Sequence, residues 1–372
     1  MCKRFRLLKS SFKSAVLILV VSICSLTSLS AFSIDLAPIN PLFREPLVDP
    51  FSDSTSFRYL KVLDDGLPES ILVADKNTQK YERYPHDTRG LDEYWQMKTA
   101  ANIGLLRFST KYFELEGYIQ GGINTVFQRK GGIDCLGFDG MYGAGASVRI
   151  AKTVVLRAGF HHFSGHWGDE IIENALELDP TLDFYSHSPA KDKHLVEYTR
   201  GNSWMAGISV EPTEQYRFYL IAEMPMKRAW IRPGIHVPPY VLRPGSGEVD
   251  QFQNMTGQEG ITGLTSYDPA YKAWRFQAGG ELRQPVFDLG SLFVAGEIQA
   301  HQDGKTLHQV GGYDSKNPWE FEYTVGAGFE FGVGHNERKF RLEVNYHDGR
   351  FPLLNYFFQR SKYVVIGLGI SG

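Results

Sequence analysis

The sequence predicts an all-β chain, an antiparallel transmembrane β-barrel of about 12 strands with short periplasmic turns and long extracellular loops. Three observations predict it. Apolar and polar residues alternate with a period of two along many segments. The connections between those segments are alternately short and long. Beyond the N-terminal leader, no run of about 18 apolar residues remains to build a membrane helix.

The alternation is clearest over 319–331, where Trp319, Phe321, Tyr323, Val325, Ala327, Phe329 and Phe331 occupy the odd positions and Glu, Thr or Gly every even one. Along 113–127 the polar residues Glu114, Glu116, Gln120 and Asn124 share one face. A soluble sandwich buries such an apolar face, whereas a membrane barrel turns it to lipid and keeps the polar face in the lumen.

On this template the strands are 57–63, 95–108, 112–127, 140–150, 152–164, 195–210, 216–224, 272–283, 291–300, 319–331, 339–347 and 362–370. Tight connections at 109–111, 151, 211–215, 284–290 and 332–338 fall on one side. Long ones at 64–94, 128–139, 165–194, 225–271, 301–318 and 348–361 fall on the other. An even strand count with both ends on the short-turn side closes the wall without a free edge. The expected location is therefore the outer membrane of a Gram-negative cell, with lipids and lipopolysaccharide as neighbours.

Residues 1–33 are expected to be a signal peptide: Lys3, Arg4, Arg6, Lys9 and Lys13 precede an apolar stretch, and Ala31, Phe32 and Ser33 provide a cleavage region. Residues 34–56, with Pro38, Pro41, Pro46 and Pro50, are expected to form an extended periplasmic lead-in, and 57–372 the barrel. Loss of Cys2 and Cys24 with the leader leaves Cys135 as the single thiol, so no internal disulfide framework is expected. A net charge of −3 with mixed signs along the chain argues against a nucleic-acid partner.

Three segments carry a likeness to a known family: Leu42 to Pro50, His161 to Glu170, and Tyr346 to Arg350 followed by Asn355 to Phe358. In their order and spacing the chain resembles the bacterial family called domain of unknown function 1207. The resemblance implies an envelope protein of outer-membrane barrel type and no particular activity.

The most suggestive chemistry is His162 and Ser164 at the top of the fifth strand, two residues apart and so on one face, outward beside Leu156, Ala158 and Phe160. An imidazole next to a hydroxyl is what a nucleophile and its base require. The pair resembles the His-x-Ser dyads of outer-membrane phospholipase A and the lipid A deacylases. Asn202 on the following strand is the candidate to orient the imidazole, as an asparagine does in outer-membrane phospholipase A, with Asp169 or Glu170 as substitutes. The chain departs from those enzymes in having Gly165 and His166 after the serine.

Two further readings compete. His161, His162, His166, Asp169, Glu170, His187 and His194 form a loose group of metal-ligand types whose spacing fits no recognised pattern. The inward face carries Glu116, Arg157, Arg217, Glu223, Arg275, Glu281, Glu297, Glu320, Arg341 and Glu343 among others, which either line a pore or pair to fill the interior. The leading expectation is a non-enzymatic envelope protein, a small channel or a surface-exposed structural component, without cofactor. The alternative is a membrane-facing lipid esterase with Ser164 as nucleophile, His162 as base and Asn202 as orienter, for which calcium would be the candidate cofactor.

Overall fold

A computed structural model describes residues 32–63, 67–75, 80–85, 92–130, 135–183, 193–195, 197–225, 231–232, 274–301, 319–332, 339–356 and 359–371. The leader proposed for 1–33 lies almost wholly outside them.

Twelve antiparallel strands close into a barrel. They are β2 (Thr55–Val62), β5 (Glu93–Ser109), β6 (Phe113–Gln128), β7 (Cys135–Ile150), β8 (Val154–Trp167), β11 (Glu197–Val210), β12 (Tyr216–Pro225), β14 (Arg275–Val286), β15 (Gly290–His301), β16 (Glu320–Phe331), β17 (Lys339–Arg350) and β18 (Arg360–Ser371). Each pairs with its sequence neighbour in this series, and β18 closes on β2 with Tyr363 opposite Val62 and Ile370 opposite Thr55. At the closing seam Gly367 leaves room for the Arg58 side chain, which a Cβ would meet at 2.7 Å, and Arg58 reaches Glu343 at 2.6 Å.

The pleat sorts residues as the alternation requires. On β16, Phe321, Tyr323 and Val325 are exposed while Glu320, Glu322 and Thr324 are buried. On β6, Leu115, Ile119 and Ile123 face out and Glu116, Gln120 and Asn124 face in. A closed barrel with an apolar exterior and a polar interior is an outer-membrane barrel, because every backbone group is paired within the wall and the apolar face has only lipid to meet.

The small elements occupy the two ends. β1 (Ser33–Leu36) pairs with the lower end of β5, Ser33 opposite Ser109. β3 (Ser70–Asp75) and β4 (Lys80–Pro85) form a hairpin, which with β9 (Leu182–Asp183) and β10 (Lys193–Leu195) makes a four-stranded sheet beyond the upper rim. β13 (Ile231–Arg232) pairs with β11. Helix α1 (Asp169–Leu178) follows β8 directly and buries Ile171, Ile172 and Ala175. The long connections at 64–94 and 165–194 thus carry folded structure, whereas most of 225–271 and 302–318 lies outside the described residues.

The lead-in differs most from expectation. Residues 40–54 do not trail into the periplasm: they enter the lumen, where Leu42, Phe43, Leu47, Val48, Asp49, Phe51, Ser52 and Asp53 are all buried. The physical reason is reciprocal satisfaction. The Leu42 and Leu47 amides donate to Glu116 and Glu281 at 2.8 and 3.2 Å, and Arg157 meets Glu45 at 2.8 Å. Asp49 accepts from Gln277 at 2.9 Å and Gln299 at 3.0 Å and pairs with Arg275 at 3.3 Å; Lys98 donates to the Pro50 carbonyl at 3.0 Å. The apolar members pack too, Leu42 and Phe43 against Val155, Tyr219 and Ile221, and Leu47 and Val48 against Phe293. The inward charges expected to line a pore or fill the interior therefore hold a plug.

Above the plug an apolar cap continues the interior. Phe51 at the plug's end shares one core with Tyr94, Phe163, Trp167, Ile171, Phe351, Leu354 and Tyr356. The connection at 351–356 dips into the mouth, where Asp139 accepts from the Leu354 amide at 3.0 Å and Asn124 donates to the Pro352 carbonyl at 2.9 Å. Asp348 and Arg350, expected in the long connection 348–361, end β17 instead, with Arg350 paired to Glu322 at 2.9 Å.

Candidate functional site

The outward face of β8 ends in three polar residues, His162, Ser164 and His166, each half-buried, while His161, Phe163 and Trp167 alternate into the interior. Alternation alone decides this split, and it divides the proposed histidine cluster. His161 faces Asp53 and Glu223 inside, at 3.3 and 3.2 Å. His162 and His166 stand outside. Asp169 and Glu170 open the first turn of α1, His187 is outside the described residues, and nothing is described of the His194 side chain.

Register brings the predicted partner into place. Asn202 on β11 lies directly opposite His162, and Oδ1 of Asn202 is 3.0 Å from Nδ1 of His162. With the amide oxygen as acceptor, Nδ1 carries the proton and Nε2 keeps its lone pair, the state a general base needs. On the other side Tyr142 stacks on His162 with centroids 4.4 Å apart and planes at 17°, fixing the ring. The His162 and Asn202 pairing thus has both a hydrogen bond and a packing surface.

Ser164 is hydrogen-bonded to a different imidazole. Its Oγ lies 3.2 Å from Nε2 of His166, whose ring stacks on Phe138 at 4.8 Å and 27°. The hydroxyl is flanked by His162 two residues before it and His166 two residues after, all on one face of the strand. Across the ladder from Ser164 stands Gly140, and a Cβ there would come within 3.2 Å of Oγ, so the glycine keeps the outward approach to the hydroxyl open. A bulge on β11 between Thr199 and Gly201 lies opposite the same residue.

Tyr142, Phe138 and Gly140 were not singled out as site residues from sequence, and His166 was named as one only among possible metal ligands. The two-residue period already placed His166 on the face of His162 and Ser164, but the other three reach the site only through the register between β7 and β8. Chemically the array offers a hydroxyl nucleophile, two imidazoles and an orienting amide at the upper rim, bordered by exposed Phe138, Tyr142, Leu156 and Trp204.

No known family model matches the chain, and no curated protein does. Among solved structures the chain is similar to the calcium-bound dimer of the outer membrane phospholipase of Salmonella typhi, at 10% identity and a TM-score of 0.42, covering 89% of this chain and 93% of that one. It is similar also to outer membrane phospholipase A of Escherichia coli, at 10% identity and TM-score 0.40, covering 89% and 92%. An outer membrane channel of Pseudomonas putida F1 is similar at 9% identity and TM-score 0.36, covering 89% and 98%.

Proposed function

We propose that this outer-membrane barrel is a lipid-facing acyl-ester hydrolase. The observation that carries the reading is the outward array at the upper rim, with His162 held by Asn202 at 3.0 Å and Ser164 beside it under an open glycine. A hydroxyl and a base turned toward lipid, and not toward the lumen, select a substrate that arrives laterally in the membrane. Its substrate class is an ester-linked acyl chain of a membrane phospholipid or of lipopolysaccharide.

In this mechanism Oγ of Ser164 attacks the acyl carbonyl carbon and its proton passes to Nε2 of His162. The alcohol portion of the lipid leaves with that proton, and water then releases the fatty acid from the serine ester by the same base. Asn202 fixes the tautomer and does not itself transfer a proton. This step requires Oγ of Ser164 to leave its bond with His166 and turn to His162.

The plug supports this reading over a channel, since the segment from Leu42 to Asp53 occupies the lumen through buried ion pairs. The test is release of fatty acid from mixed phospholipid and lipopolysaccharide micelles by the folded protein, with and without calcium, beside Ser164→Ala and His162→Ala. Hydrolysis lost in both variants is the expected result. A folded barrel without hydrolysis in either condition ends the proposal.

A further inference from the structure

The opposite end of the barrel holds a second feature, independent of the rim. Below the plug a cavity of about 960 Å³ opens among the short periplasmic turns. Its roof is the start of the plug at Asn40, Pro41 and Arg44, and its walls are the lower ends of the strands. Although the chain carries a net charge of −3, seven basic side chains line this cavity against four acidic ones.

The two arginines at the head of the cavity are paired but keep unmatched donors. Arg44 and Arg149 both approach Glu211, at 3.5 and 3.9 Å, and Arg149 also pairs with Glu114 at 3.0 Å. The Nε atoms of both are buried and have no hydrogen-bond partner among the described residues. Burial, and then the nearby Arg283 and Arg217, pull the Arg44 guanidinium down to about 10 against the opposing pull of Glu211. Lys111 and Lys152, on adjacent turns, and Lys339 across the mouth add three ammonium groups to the lining.

We infer that this vestibule is a periplasm-facing binding site for a phosphate group, with Arg44 and Arg149 at its head and Lys111, Lys152 and Lys339 at its mouth. Paired guanidinium groups with free N–H donors match the planar, multidentate demand of phosphate oxygens, and the lysines add long-range attraction. Filling the two Nε donors would satisfy buried polar atoms that the protein leaves unmatched. The same chemistry is offered by a free phosphate and by the headgroup of an anionic lipid in the inner leaflet.

The experiment is calorimetric titration of the full chain, folded in zwitterionic detergent at low salt, with sodium pyrophosphate and separately with micelles doped with phosphatidylglycerol. Arg149→Gln and the double variant Lys152→Glu with Lys339→Glu are run beside it, the latter because its sites are at the mouth and outside the packed interior. Binding weakened at least 10-fold in both variants is expected, together with weakening as salt rises. Heat with pyrophosphate assigns a free anion, and heat only with phosphatidylglycerol assigns the lipid headgroup. Absence of binding to both probes, or binding that neither variant changes, overturns the site.

Discussion

Oδ1 of Asn202 and Nδ1 of His162 lie 3.0 Å apart, their residues directly opposed across the ladder between β8 and β11. If this pair is the oriented base, its members have unequal roles. His162→Ala removes the proton acceptor and lowers ester hydrolysis by about 10²–10⁴. Asn202→Ala removes only the orienting bond, so it lowers kcat by a smaller factor and leaves KM for a micellar lipid substrate nearly unchanged. His166→Ala keeps most of the activity. A profile in which His166→Ala abolishes hydrolysis and His162→Ala spares it would give the base to His166 and remove Asn202 from the site.

Gly140 makes a prediction about access. Its absent side chain leaves the outward approach to Ser164 open, and a Cβ there would stand 3.2 Å from the hydroxyl. Gly140→Val therefore crowds the nucleophile without entering the interior core. Hydrolysis is expected to fall at least 10-fold while heat-modifiable migration and the β circular dichroism spectrum stay as in the parent. Unchanged hydrolysis would mean that the acyl group does not approach across β7.

How far the sequence foretold these features depends on the range of the interactions that built them. The twelve wall strands were legible because each is written in a local two-residue alternation, and their ends fall close to the observed ones: 319–331 was expected and Glu320–Phe331 is found. His162 and Asn202 were legible as one outward site, since face follows from parity. Their register, and the Ser164 contact with His166, depend on how β8 and β11 align across residues 168–196, which no local pattern specifies. The plug was illegible for a deeper reason. Prolines and scattered charges in 34–56 resemble a solvated linker, and they become an interior only when Glu45, Asp49 and Asp53 meet Arg157, Arg275 and His161 from distant strands.

Asp49 is the central tie of that plug, accepting from Gln277, Gln299 and the Phe51 amide and pairing with Arg275. Asp49→Ala leaves a buried Arg275 without one of its carboxylates, the Phe51 amide without its acceptor, and Gln277 and Gln299 with Glu297 alone to accept from them. Breaking a buried pair in this way costs about 3–5 kcal/mol. The variant is expected to unfold at lower denaturant in detergent and to show larger, noisier single-channel currents in planar bilayers than the parent, whose conductance is expected to be small. A parent with steady, porin-like conductance would contradict the plug as a permanent filling.

The cap above the rim gives the pH prediction. Asp179, just after α1, accepts from Lys193 of β10 at 2.9 Å and from Tyr84 of β4 at 3.0 Å, and Lys193 also donates to Tyr84 at 2.7 Å. Burial acts to raise the Asp179 carboxyl, but the hydrogen bonds from Thr181, Lys193 and Tyr84 outweigh it and hold the group below the usual carboxylate range. A carboxyl depressed in the folded cap contributes stability that is fully present above the ordinary aspartate value of about 3.9 and is lost as pH falls through the lower folded value. On the alkaline side Lys193 is raised by its bonds to Tyr84 and Asp179, so the link persists there beyond the ordinary lysine range. Limited proteolysis of the folded protein should therefore find α1 and the Asp179 turn equally protected from pH 5 to 9, with acid-active protease cutting this connection only below about pH 4. Asp179→Asn should expose the same connection at neutral pH while the barrel itself stays resistant. Equal protection of the parent and Asp179→Asn at neutral pH would show that the three-residue link does not hold the cap closed.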